Sequence, residues 1–202
     1  MEVTTKQPVL LYTEQTPNPE SLKFVSNKML YRGIAEFKTK EQAEKWSPLA
    51  AALFEKAYVQ AVYISNNFVT ITKKSTESWH EIMLPAKDFI KSYIEEEKAI
   101  VSELYADHIQ EEEKIQEQGK YDEKDTEIVR RIKEMINNYV KPAVEMDGGN
   151  IEFKSYHQGV VTVMMQGSCS GCPSSTVTLK SGIEGLLKRM VPEVTEVVAE
   201  AC

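Results

Sequence analysis

The sequence predicts an α+β protein of two small α/β-sandwich domains joined by an acidic, partly helical connection. Three observations carry this. Up to about Tyr93, short strand patterns alternate with helical ones. Residues 95–125 then hold 12 acidic and 4 basic side chains, a local balance of −8 in a 202-residue chain of net charge −7. The final third reads helix, strand, strand, helix, strand. The expected domains are therefore 1–94 and 126–202, with 95–125 as the linker.

In chain order, Val9 to Tyr12 and Leu22 to Val25 have the apolar, β-branched character of strands, and Thr16-Pro17-Asn18-Pro19 between them is a run of turn formers. Ser47-Pro48 reads as an N-cap followed by proline at the first helical position, opening a helix to about Ala57. Asn66-Asn67 joins Tyr63-Ile64-Ser65 to Phe68-Val69-Thr70-Ile71 as a two-residue hairpin turn, because asparagine tolerates positive φ. Phe24, Phe54 and Phe68 are expected in the core, and Pro17 and Pro19 in a surface loop.

The linker is rich in Glu and Lys, and Gly119 to Asp122 breaks any single long helix. Its glutamate runs, 95–97 and 111–113, read as a charged face that keeps two domains apart. Beyond it, Ile128, Ile132, Met135, Ile136 and Tyr139 follow helical spacing, and Pro142 disfavours simple continuation. Asp147-Gly148-Gly149-Asn150 turns the chain into the strand Ile151 to Tyr156. Gln158-Gly159 returns it as Val160 to Met165. After Gly167 comes Ser168-Cys169-Ser170-Gly171-Cys172-Pro173, then a helix with Leu179, Ile183, Leu186, Leu187 and Met190 on one face.

Composition excludes several function classes. No apolar run approaches the roughly 20 residues that cross a bilayer, so no membrane role is expected. No basic stripe with interleaved aromatics provides the footprint of a nucleic-acid binder. Met1 to Thr5 are polar with no leader pattern, which makes the cytoplasm the expected compartment. Three cysteines, two of them three residues apart, suit metal or redox chemistry rather than a secreted disulfide framework. The first domain offers no cysteine and no clustered acid, base or histidine, so its expected role is recognition rather than catalysis.

Cys169 and Cys172 are the candidate metal ligands. Gly171 lets the loop curl, and the helix N-terminus after Pro173 favours thiolates or an anionic group beside it. Ser168, Ser170, Ser174 and Ser175 are hydroxyls that either tune the sulfurs or cap the helix. A structural zinc site and a thiol–disulfide motif use the same spacing. Zinc and 4Fe-4S sites ask for four ligands, however, and one chain clusters only two; His80, His108 and His157 are scattered. The αββαβ segment is also short for a thioredoxin-like sheet. Two chains supply four thiolates, the set expected of a 4Fe-4S cluster bridging two subunits.

The run Met165 to Lys180, with Asp147-Gly148-Gly149 before it and Gly182-Ile183-Glu184 after it, resembles the NifU C-terminal domain. Thr16 to Phe24, Ser47-Pro48-Leu49-Ala50 with Leu53-Phe54, and Phe68 to Lys73 resemble the N-terminal domain of Nfu-type proteins. The resemblance implies a non-catalytic scaffold or carrier that receives a 4Fe-4S cluster from an upstream assembly scaffold and passes it to apo-proteins. It places the cluster on Cys169 and Cys172 of a homodimer. Cys202 has no place in the motif and is expected to be a spectator.

Overall fold

The computed structural model describes residues 7–116, 120–170 and 173–201. Contacts divide the chain into two compact units, the first ending at Ser102 and the second starting at Glu103, inside the stretch expected as a linker, with the short segment Gln15–Ser21 grouped with the second. The α+β class holds in both.

The first unit is a five-stranded sheet in the order β1-β2-β5-β4-β3, built from β1 (Leu11–Gln15), β2 (Ser21–Ser26), β3 (Tyr31–Phe37), β4 (Val59–Asn66) and β5 (Phe68–Lys73). Its helices are α1 (Lys40–Trp46), α2 (Pro48–Phe54) and α3 (Trp79–Glu95). Ser47 and Pro48 start α2 as expected: the Ser47 hydroxyl accepts from the Ala50 amide at 3.1 Å and donates to the Ile100 carbonyl at 2.6 Å. One buried hydroxyl thus caps a helix and anchors the segment after α3. Asn66, at φ 48°, turns the β4–β5 hairpin, with Ser65 paired to Phe68. The Asn67 amide donates to the Ser26 carbonyl at 2.8 Å, which binds the hairpin tip to the end of β2. Phe24 and Phe68 are buried, and Phe54 is half-buried.

α4 (Leu104–Gln116) occupies much of the acidic stretch. The chain then docks on the second unit: the Lys120 carbonyl accepts from the Tyr156 amide at 2.9 Å, and the Tyr121 ring meets Phe153 edge-on. This unit has α5 (Thr126–Met135), one π-helical turn (Ile136–Val140), α6 (Lys141–Met146), β6 (Gly149–His157), β7 (Val160–Gly167), α7 (Pro173–Met190) and β8 (Glu196–Ala201). β7 pairs antiparallel with β6 and parallel with β8. Val161, Val163 and Met165 point from β7 into a core shared with Ile132, Ile136, Ile151, Ile183 and Leu187.

The helical expectation around Tyr139 is modified by Pro142. Pro142 has no N–H to donate, and its ring crowds the carbonyl four residues back, which disfavours regular α-helix just before it. The π turn just before it inserts an extra residue and absorbs the misfit. The helical path continues, but the face rotates: Val140 is buried and Tyr139 lies 62% exposed. At the end of α7, Met190 is likewise exposed while Ile183 and Leu187 are buried.

The parallel strand β8 is fastened at its start by two contacts. Gly159, at φ +87°, closes the β6–β7 turn, and its carbonyl accepts from the Thr195 amide at 2.8 Å. The Glu184 carboxylate on α7 accepts from the Val197 amide at 3.1 Å and pairs with Lys188. The Lys188 hydrogen bond, and then the Val197 N–H, hold the Glu184 carboxyl below the ordinary glutamate range.

Gly159→Ala is expected to destabilise the second unit by about 1–3 kcal/mol in denaturant unfolding. A Cβ there would stand 3.1 Å from the Glu193 carbonyl in a conformation L-residues avoid. Because the Glu184 carboxyl titrates lower folded than unfolded, its contribution is present above the unfolded value and lost as pH falls through the folded one. Glu184→Gln is expected to lower stability at neutral pH and to flatten that part of the acid limb in urea midpoints measured from pH 7 to 3.

Candidate metal centre

Cys169 lies at the end of β7, where the strand hands over to α7, and is 8% exposed. The turn before β6 holds it there. The Ser168 hydroxyl donates to the Asp147 carbonyl at 2.6 Å, and the Ser168 amide donates to the Gly148 carbonyl at 3.2 Å. The Ser170 amide closes a tight bend onto the Gly167 carbonyl at 3.1 Å. Gly148 (φ 81°) and Gly167 (φ 67°) supply the left-handed conformations these bends need.

Gly149 is required for a different reason. A Cβ on it would stand 2.6 Å from the Gln166 carbonyl, 3.0 Å from the Cys169 sulfur and 3.3 Å from the Cys169 amide nitrogen. Bare backbone therefore runs close to the sulfur, in space that a side chain would have to share with it. Gly149 pairs with Gly167, and Asn150 pairs with Gln166 in the same ladder. The fully buried Asn150 locks that register, its amide donating to Gln166 Oε1 at 2.8 Å and to Glu152 Oε1 at 3.0 Å.

Burial pushes the Cys169 thiol up from its ordinary value, with the nearby Asp147 charge adding to the shift and the Ser168 hydroxyl opposing it. The sulfur is a protonated, soft donor at rest, and a thiophilic metal that binds it must displace the proton.

The other sequence candidates are placed less closely. Cys172 and Cys202 lie outside the described residues, as do Gly171 and the side chains of Ser174 and Ser175. His80 and His157 are exposed, and the His108 ring lies tilted beside that of Tyr105 in α4, with centroids 6.5 Å apart. Among the described residues no three His, Cys, Asp or Glu side chains gather as a metal site. Sequence reasoning read Asp147-Gly148-Gly149 as a turn and missed the contact of Gly149 with the sulfur. The signal was the doubled glycine: a turn with one left-handed residue needs only one.

Two family models match the chain. That described as "NifU-like domain" covers residues 132–198. "Scaffold protein Nfu/NifU N terminal" covers residues 11–97. The relative named "NFU1 iron-sulfur cluster scaffold homolog, mitochondrial" from Drosophila willistoni is 36% identical over 98% of this chain, which spans 65% of that protein's length. The human protein of the same name is 36% identical over 92% of this chain and is 70% covered by it. A solution NMR structure of a NifU-like protein from Saccharomyces cerevisiae, 24% identical, matches 51% of this chain and 92% of its own with a TM-score of 0.45.

The cytoplasmic expectation is corrected here, since these relatives are named mitochondrial. Composition and folded cores do not encode a cellular address, which resides in removable segments.

Gly149→Ala is expected to displace Cys169 and to cost about 1–3 kcal/mol, the usual range for overpacking. Thermal unfolding checks the loss of stability. A faster reaction of the Cys169 thiol with a disulfide reagent in the folded state checks the displacement.

Proposed function

We propose, on the footing that the chain belongs to the Nfu-type family of NifU-like iron–sulfur cluster scaffold proteins, that it carries a 4Fe-4S cluster as cargo between two copies of itself. In this reading Cys169 and Cys172 of each copy are the four ligands, and the cluster passes to apo-proteins without the chain catalysing a reaction. The observation that carries it is the Gly149 backbone held against a buried Cys169 sulfur at a strand-to-helix junction. A sulfur fixed by backbone contact is preorganised for a soft metal, as a ligand must be.

The chemistry follows from the ligand count. Two thiolates from one chain leave a four-iron cluster half coordinated, and the set closes only when a second chain arrives. Cluster binding and dimerisation are then one equilibrium, and separating the copies exposes the cluster for transfer. An acceptor completes the exchange by offering its own thiolates. The first unit serves recognition of acceptors or of the assembly machinery that supplies the cluster, and the working compartment is the mitochondrion.

Anaerobic reconstitution is expected to give about four iron and four sulfide per dimer, with broad thiolate-to-iron absorption. Cys169→Ser and Cys172→Ser are each expected to abolish it, and Cys202→Ser to leave it intact. Chelation should return the reduced dimer to monomers in sedimentation velocity. Stoichiometric zinc in protein never exposed to oxygen, or reduction of insulin disulfides at the rate of a dedicated oxidoreductase, would replace the carrier reading with a structural-zinc or a redox one.

A further inference from the structure

The three-stranded sheet of the second unit has β7 at its centre, so β6 and β8 are both edge strands. An edge strand points every other N–H and C=O away from its own sheet, and such a row is a template on which another strand can pair. On β8 the Glu196 amide turns in toward the Gly159 carbonyl at 3.3 Å, so the next amide, that of Val197, points out. The Glu184 carboxylate on α7 accepts it at 3.1 Å. On β6 the Tyr156 amide points out in the same way, and the Lys120 carbonyl accepts it at 2.9 Å. An outward donor on each edge is thus taken by a group that is not a strand.

Each of these groups is itself held. Glu184 pairs with Lys188, one helical turn on, at 2.6 Å. Lys120 is followed by Tyr121, whose ring meets Phe153 edge-on, and the Lys133 ammonium lies 5.4 Å from the Phe153 ring centre and 6.0 Å from that of Tyr121. The β8 edge is one that needs covering. Val197, Val198 and Ala199 follow one another in it with no Gly or Pro, a composition that pairs readily with its own kind. Its acidic residues do little to repel a second β8, because Glu196 lies 3.9 Å from Lys180 and Glu200 pairs with Lys154 at 2.5 Å. The strand that matches this edge is therefore the same edge of a second copy, set antiparallel to it by a two-fold axis.

We infer that Glu184 and the segment of Lys120 and Tyr121 guard the two edges of this sheet, and that Glu184 keeps β8 of one copy from pairing with β8 of another. The guard works by occupancy. An incoming strand has to offer its carbonyl to an amide that is already bonded, and to displace a carboxylate that Lys188 holds in place. The inference rests on the sheet alone and is independent of any metal at the cysteine loop.

The test uses the full chain, reduced and stripped of metal with a chelator, each variant held the same number of degrees below its own melting temperature. Loss of monomer is followed by sedimentation velocity, and intermolecular β structure by the infrared amide I band. Glu184→Ala removes the acceptor and is expected to lose monomer at least tenfold faster than the parent. Glu184→Gln keeps a side-chain carbonyl for the Val197 amide, and Lys188→Ala keeps the carboxylate without its partner. Both are expected to stay within about twofold of the parent although each lowers stability. Tyr121→Ser, at the other edge, is expected to behave as Glu184→Ala does, and it supplies the test should that chain fold poorly. Association that ranks with melting temperature across the four variants, rather than with the presence of the acceptor, would overturn the guard. So would a Glu184→Ala or a Tyr121→Ser chain that folds and stays as monomeric as the parent, each for its own edge.

Discussion

The backbone of Gly149 lies where a side chain would strike both the Gln166 carbonyl and the Cys169 sulfur, and the rest of the site depends on that close approach. It joins the first strand of the second unit to the loop after the second strand, so the sulfur's position is set by sheet register rather than by the loop alone. The register is in turn held by the Asn150–Gln166 pair and by the Ser168 hydroxyl on the Asp147 carbonyl. The core contributes from the other face, where Ile151 and Met165 are opposed residues of the ladder and both are buried. A shift of one residue in that ladder would turn these apolar groups outward and withdraw the glycine from the cysteine.

The two units are built differently. The second combines a buried sulfur with a parallel strand β8 that is fastened at its start through Gly159 and Glu184. The first has an ordinary apolar core, in which Phe24, Leu49, Leu53 and Ile71 are wholly or almost wholly buried. Its polar contacts serve architecture: Ser47 caps α2 and anchors the Ile100 carbonyl, and Asn67 ties the β4–β5 hairpin to β2.

Local patterns were legible wherever a residue's chemistry acts over a few positions. Ser47-Pro48, Asn66-Asn67 and Gln158-Gly159 each produce the cap or turn their residue types favour. Tyr139 fails the same test, because its outward position follows from the π turn before Pro142 and not from its spacing to Ile132 and Ile136. The strand Tyr31–Phe37 and the helix Lys40–Trp46 escaped notice because their patterns are irregular: Gly33 interrupts the strand, and only Ala43 of that helix is buried. Likewise Tyr121 reads as linker by composition but packs on Phe153, since an aromatic side chain finds an apolar neighbour wherever the chain brings one within reach.

The sequence by itself determined the α+β class, the order of the last five elements and the candidate cysteines, because periodicity, turn chemistry and ligand spacing are properties of neighbouring residues. Tertiary structure alone decided that β8 runs parallel to β7, that Gly149 is a contact glycine as Gly148 is a turn glycine, and that Cys169 is buried. Each of these depends on residues far apart in the chain meeting in space. The close approach of Gly149 to Cys169 spans twenty positions and exists only when the β6–β7 ladder has closed.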